Sequence, residues 1–141
     1  MELSQAIEAA KAHPLGVLVT QKHDGRPQLS NITHSVGDDG VIRISVTDGR
    51  AKTRNLRRDP RASLYVGRPD GWAYAVLEGT TTLSAVATSP HDEAVDELVA
   101  LYRAVRGEHP DWDEYRAVMI KDGRLVVRFT PDRAYGMWSA S

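Results

Sequence analysis

A chain of 141 residues, 41% of them hydrophobic, can bury one core of useful size but not two, so a single domain spanning residues 1–141 is expected. Its formal net charge of −1 gives no global pull toward nucleic acid or a membrane surface, so any anion site must come from local clustering. The absence of cysteine excludes disulfides, thiol nucleophiles and iron–sulfur ligation, leaves redox chemistry to a borrowed cofactor, and accords with a reducing cytoplasm, where the protein is expected.

Leu3, Ile7 and Ala10 recur at helical spacing, which predicts a short helix from Leu3 to Ala12 that Pro14 stops. Leu15 to Thr20 reads as a first strand, and Asp24-Gly25 as the tight turn into a second, from Pro27 to Val36. That second strand is too polar for a core strand. Leu29, Asn31, Thr33 and Ser35 share one of its faces, and Gln28, Ser30, Ile32, His34 and Val36 the other, so part of it is expected to line a site. Asp38-Asp39-Gly40 turns into a third strand, Val41 to Val46. A helical segment follows, Arg50 to Arg58, closed by Asp59-Pro60. Ala62 to Gly67 is the fourth strand. Trp72 to Val86 is the fifth, with Gly79 marking a bulge or bend.

Ser89 and Asp92 form a capping box with Pro90 in the first helical position, and Val95, Leu98, Tyr102 and Val105 extend an amphipathic helix to about Gly107. Asp111 to Glu114 caps a second short helix carrying Tyr115, Val118 and Met119. Asp122-Gly123 leads into a sixth strand, Leu125 to Phe129, and an aromatic-bearing tail runs from Thr130 to Ser141. Short strands joined by turns, with a helical pair inserted, fit a mainly β fold: a closed or nearly closed antiparallel barrel of six strands.

The densest charge cluster is Arg50, Lys52, Arg54, Arg57 and Arg58, followed by Arg61. At about 100° per residue, Arg50, Arg54, Arg57 and Arg58 fall on one broad face, whereas Lys52, Asn55 and Leu56 fall away from it. Lys52 and Asn55 can therefore sit at the edge of the core and hold phosphate oxygens, aided by Gly49 and the first amides of the helix; the arginine face is freer to meet solvent, a partner chain or a second anionic group. Trp72 and Tyr74 project from one face of the fifth strand, and Trp138 lies in the tail. Such residues either fill core space or stack on a flat ring. The five histidines show no metal spacing, no nucleophile elbow accompanies the serines, and no dinucleotide fingerprint occurs. The strands lack the interleaved aromatic and basic residues of a nucleic-acid platform. No run reaches the roughly 18 to 20 apolar residues of a membrane helix.

Asp24-Gly25-Arg26-Pro27 before a polar strand, the run Arg50-Ala51-Lys52-Thr53-Arg54-Asn55-Leu56-Arg57-Arg58-Asp59-Pro60-Arg61, and Gly71-Trp72 after the next strand resemble the pyridoxamine-phosphate-oxidase-like split barrels of the FMN-binding type. Within them they resemble the branch that uses the deazaflavin coenzyme F420. The resemblance extends over almost the whole chain. It implies a homodimer with two equivalent cofactor sites along the subunit interface. It also implies that Lys52 and Asn55, with Arg50, Ala51 and Thr53, receive the cofactor phosphate, that Ser30, Asn31 and Thr33 border the ring, and that Trp72 and Trp138 lie beside it. The activity implied is hydride transfer from reduced F420 to a small, electron-poor organic acceptor. The alternatives are an FMN-binding oxidoreductase and a binding or storage protein without turnover. No proton donor is singled out. F420 continues past its phosphate into glutamyl groups, which would give the arginine face a use that FMN does not.

Overall fold

Ten elements follow one another: α1 (Leu3–Ala12), β1 (Leu15–Gln21), β2 (Pro27–Val36), β3 (Ile42–Thr47), α2 (Ala51–Arg58), β4 (Arg61–Gly67), β5 (Tyr74–Leu83), α3 (Glu93–Arg106), α4 (Trp112–Asp122) and β6 (Arg124–Met137). The computed structural model describes residues 1–139. The six strands pair antiparallel in the order β1-β2-β3-β6-β5-β4, and β4 returns to β1, so the sheet closes into a barrel. Closure removes the unpaired edges that an open sheet must protect.

Strand alternation decides what lies inside. In β3, Ile42, Ile44 and Val46 are buried within the barrel, while Arg43, Ser45 and Thr47 point outward. Leu18, Leu64, Leu77, Leu125, Val127 and Phe129 complete the same core, and α1 packs against it through the small side chains of Ala6, Ala9 and Ala10. β6 is apolar on both faces at Leu125-Val126-Val127 because α3 and α4 cover its outside. Val126 joins Val95, Leu98, Val99, Tyr115 and Met119 in a second cluster.

Three elements differ from the sequence expectation by more than a residue at an end. β5 begins at Tyr74 and ends at Leu83, so Trp72 is not a strand residue; the Asp70 carboxylate accepts a hydrogen bond from the Trp72 amide (2.9 Å) and holds it in the preceding turn. β6 does not stop at Phe129. It continues to Met137 through the segment read as a tail, because a bulge between Glu78 and Gly79 lets β5 stay paired with it beyond Pro131. Gly79 marks the bend as expected: a Cβ there would collide with the Thr130 carbonyl oxygen. Finally, α3 starts at Glu93, with Asp92 rather than Ser89 as its cap, and Pro90 lies outside the helix. The Asp92 carboxylate accepts from the amides of Val95 (2.8 Å), Thr88 (2.9 Å) and Ser89 (3.1 Å), so one side chain closes the turn and caps the helix.

Candidate functional site

The outward faces of β3 and β6 form the floor of the site. Their register sets Arg43 opposite Arg128, Ser45 opposite Val126 and Thr47 opposite Arg124. Opposed residues project to the same side, so all six lie on the face that α3 and α4 cover. At one end of this face Glu97, from α3, accepts from Arg128 Nε and Nη2 (2.8 and 2.5 Å) and from Arg43 Nε (3.3 Å). Toward the other end the helices stand off the barrel and leave a cavity of about 360 Å³.

This cavity has two kinds of wall. β2 supplies Asn31, Ile32 and Thr33, β3 supplies Ser45, α2 supplies Lys52, and β6 supplies Arg124. The helical pair supplies Leu101, Tyr102, Val105, Tyr115 and Met119, with Arg106 in the last turn of α3. Among the described residues, the lining includes no carboxylate. Lys52 is half-buried and makes no hydrogen bond or ion pair among the described residues; burial first, then the neighbouring charges of Arg50 and Arg124, hold its ammonium below the ordinary value of 10.5. Like charges gathered without a counter-ion are an arrangement that an anion would stabilise. On the apolar side Tyr102 and Tyr115 pack with ring centroids 5.0 Å apart. The Tyr115 hydroxyl donates to the Leu98 carbonyl (3.0 Å), tying α4 to α3, and burial pushes its pKa up to about 12, so it stays protonated near neutral pH.

Of the residues singled out from sequence, Asn31, Thr33 and Lys52 meet in this cavity, and Arg50 stands close enough to act on Lys52. Others are placed differently. Ser30 lies on the opposite face of β2 from Asn31 and Thr33, by strand alternation. Thr53 is fully buried, and its hydroxyl donates to the Thr47 carbonyl (2.8 Å), tying α2 to the end of β3. Asn55 is also turned inward. Its Nδ2 donates to Thr20 Oγ1 (3.1 Å), and its Oδ1 accepts from Arg58 Nη2 (2.9 Å), so the amide fastens α2 to β1. Ala51 opens the helix at the surface; its N-cap, Arg50, provides no side-chain cap. Trp72 is 82% exposed in its turn, and Trp138 packs against the core and against His13, both away from this cavity.

The arginine face is engaged by its own chain. Arg54 donates to the Gly49 carbonyl (2.7 Å), Arg57 pairs with Asp48 (2.6 Å), and Arg58 donates to the Gln21 carbonyl (2.9 Å) as well as to Asn55. The cations facing the cavity come instead from α2, α3 and β6. Ser45, Arg106, Arg124 and the two tyrosines were not found from sequence. Alternation along β6 does place Arg124 with Val126, but only the long-range register with β3 brings it to Lys52. Among the described residues no group of three His, Asp or Glu is placed to hold a metal ion, and no helix is long and apolar enough to cross a membrane.

A family model described as pyridoxamine 5'-phosphate oxidase matches residues 3–138. Among solved structures, the chain is similar to a conserved hypothetical protein of Mycobacterium tuberculosis, with 22% identity, a TM-score of 0.74, and coverage of 96% of this chain and 84% of the other. It is similar to a protein described as an F420 reductase, with 22% identity, a TM-score of 0.66, and coverage of 91% and 94%. It is also similar to HutZ, the haem storage protein of Vibrio cholerae, with 15% identity, a TM-score of 0.68, and coverage of 96% and 94%. At such identities the likeness is one of fold.

Proposed function

The chain belongs to the pyridoxamine 5'-phosphate oxidase family, and on that premise we propose that the cavity bounded by β2, β3, α2 and the α3–α4 pair receives the phosphate of a flavin-type cofactor, FMN or F420. The observation that carries this reading is Lys52: an unpaired, half-buried ammonium beside two guanidinium groups, in a cavity whose lining has no acid. The residues fit such a group. Lys52 would hold the phosphate as a point charge, Asn31, Thr33 and Ser45 would offer neutral hydrogen bonds, and the tyrosine and aliphatic wall would exclude water from whatever ring lies against it. The bound cofactor would supply two-electron redox chemistry, and the chain's part would be binding, orientation and desolvation.

The narrower reading is an F420-dependent reductase that passes a hydride to a small, electron-poor organic acceptor. It is supported by the motif around Lys52 and by the likeness to an F420 reductase. The arginine face adds no support, since Arg54, Arg57 and Arg58 are already bonded within the chain.

We further read a homodimer. Leu15, Leu29, Tyr65, Tyr135 and Met137 are exposed on the outer side of β1, β2, β4 and β6, apolar surface that a second copy would cover. A second cavity, of about 500 Å³, lies on that face and shares Asn31 and Ile32 with the cationic one, so a docked copy would stand at the mouth of the cofactor site. Trp72, remote from its own chain's cavity, would then be available to the partner's.

Titration of the purified protein with FMN and with F420, followed by ligand fluorescence, tests the reading. Lys52→Ala should weaken the cofactor that binds by about 2 kcal/mol or more, the loss of a partly buried charged hydrogen bond. Unchanged affinity in that variant would refute the phosphate site.

A further inference from the structure

Three arginines line the outer face of β3 and β6 beneath the helical pair: Arg43, Arg128 and Arg124. Glu97 serves two of them. Arg124 has no such partner. Among the described residues, its Nε atom, sealed from solvent, has no hydrogen-bond acceptor, and no ion pair reaches its guanidinium. Its charge is felt at Lys52, where it adds to the depression caused by burial and Arg50. The Tyr115 hydroxyl does not satisfy it either, since that oxygen is directed to the Leu98 carbonyl.

A buried guanidinium nitrogen without an acceptor destabilises the chain that carries it, and native proteins keep few such groups. The guanidinium also has no counter-charge among the described residues, and it lines a cavity that already presents a second unpaired cation, so its terminal nitrogens are the ones a ligand there can meet. Resting on the reading of this cavity as a phosphate site, we propose that Arg124 is a binding residue for the same anion, so that Arg124 from β6 and Lys52 from α2 grip it from two elements. The division of labour follows from their chemistry. A guanidinium presents a planar fork of donors that matches two oxygens of one phosphate, whereas the ammonium supplies a compact charge from the side. The anion would thus replace, at this end of the face, what Glu97 provides at the other.

Full-length wild-type protein, Arg124→Gln, Arg124→Lys and Lys52→Ala are compared in two assays: thermal midpoint with and without inorganic phosphate, and fluorescence titration with F420 and FMN. Phosphate should raise the wild-type midpoint, and Arg124→Gln should lose that rise. In phosphate-free buffer the midpoint of Arg124→Gln should equal or exceed that of wild type, because an unsatisfied charge has been removed. Affinity for the cofactor that binds should fall roughly 10- to 100-fold in Arg124→Gln, and Arg124→Lys should recover only part of it. If Arg124→Gln keeps wild-type phosphate response and affinity while Lys52→Ala loses both, the role of Arg124 is overturned and the Lys52 site stands. Insensitivity of both variants, or a wild type that responds to neither phosphate nor cofactor, overturns both. A lower midpoint for Arg124→Gln without phosphate would make Arg124 a structural residue and overturn the proposal.

Discussion

Replacing Asn55 with Ala separates fastening the helix from gripping the ligand. Asn55 is 6% exposed, and Thr20, to whose hydroxyl it donates, is fully buried. Truncation therefore removes one internal hydrogen bond and leaves the Thr20 oxygen without that donor, at a cost of about 1 to 3 kcal/mol. The other end of the amide accepts from Arg58, an exposed side chain that can turn to water, so its loss adds at most about 0.5 kcal/mol. The expected destabilisation is about 2 kcal/mol. Urea unfolding should show a lower midpoint with unchanged slope. Cofactor affinity, measured well below the unfolding temperature, should stay within about threefold of wild type, because Lys52 and Arg124 keep their places. The opposite pattern, wild-type stability with an affinity loss as large as that of Lys52→Ala, would mean that the Asn55 amide reaches the ligand and would refute this account.

Two further predictions concern charge and pH. Glu97→Gln leaves Arg43 and Arg128 without their shared carboxylate and should cost about 1 to 2 kcal/mol in urea unfolding, given that both arginines are partly solvated. Burial pushes the Glu97 carboxyl up, but Arg128 and Arg43 together outweigh it and hold its pKa below 4.5. Its stabilisation is thus present above the unfolded value and lost as pH falls through the folded one; the variant should lack that part of the acid limb, and an identical limb would refute the assignment. His34 behaves in the opposite sense. Burial lowers its pKa below 6.5, against the smaller pull of the Ala10 carbonyl, so the unfolded chain binds the proton more readily. Thermal midpoints should fall as pH drops below 6.5, and His34→Gln should flatten that slope; an unaltered slope would assign it to other groups.

What was legible in the sequence is local. Asp24-Gly25 and Asp122-Gly123 turn where their residue types demand it, β3 alternates as written, and Gly79 sits where β5 bends. The helical phase of α2 correctly set Asn55 and Leu56 apart from the arginines, since both are buried. Phase gives direction but not partner. Whether an inward amide meets a phosphate or the Thr20 hydroxyl depends on how far β1 stands from α2, which no local pattern encodes. β6 misled for a related reason: Pro131, Asp132 and Arg133 read as a loop, yet pairing with β5 across the bulge holds them in a strand. Arg124 was missed because a lone arginine at the head of an apolar strand gains its meaning from Thr47 opposite and Lys52 beyond, residues more than 70 positions away.

The same strand that borders the cationic cavity also borders the apolar patch. Leu29, Asn31 and Thr33 occupy one face of β2; Asn31 and Thr33 reach the cavity, while Leu29 lies among the exposed apolar residues. On the readings proposed above, cofactor and second copy would therefore meet along a single strand face, and each would bury surface that the other leaves at its edge. Binding equilibria that share such a boundary are linked: a ligand that favours the dimer must itself bind more tightly as the protein concentration rises.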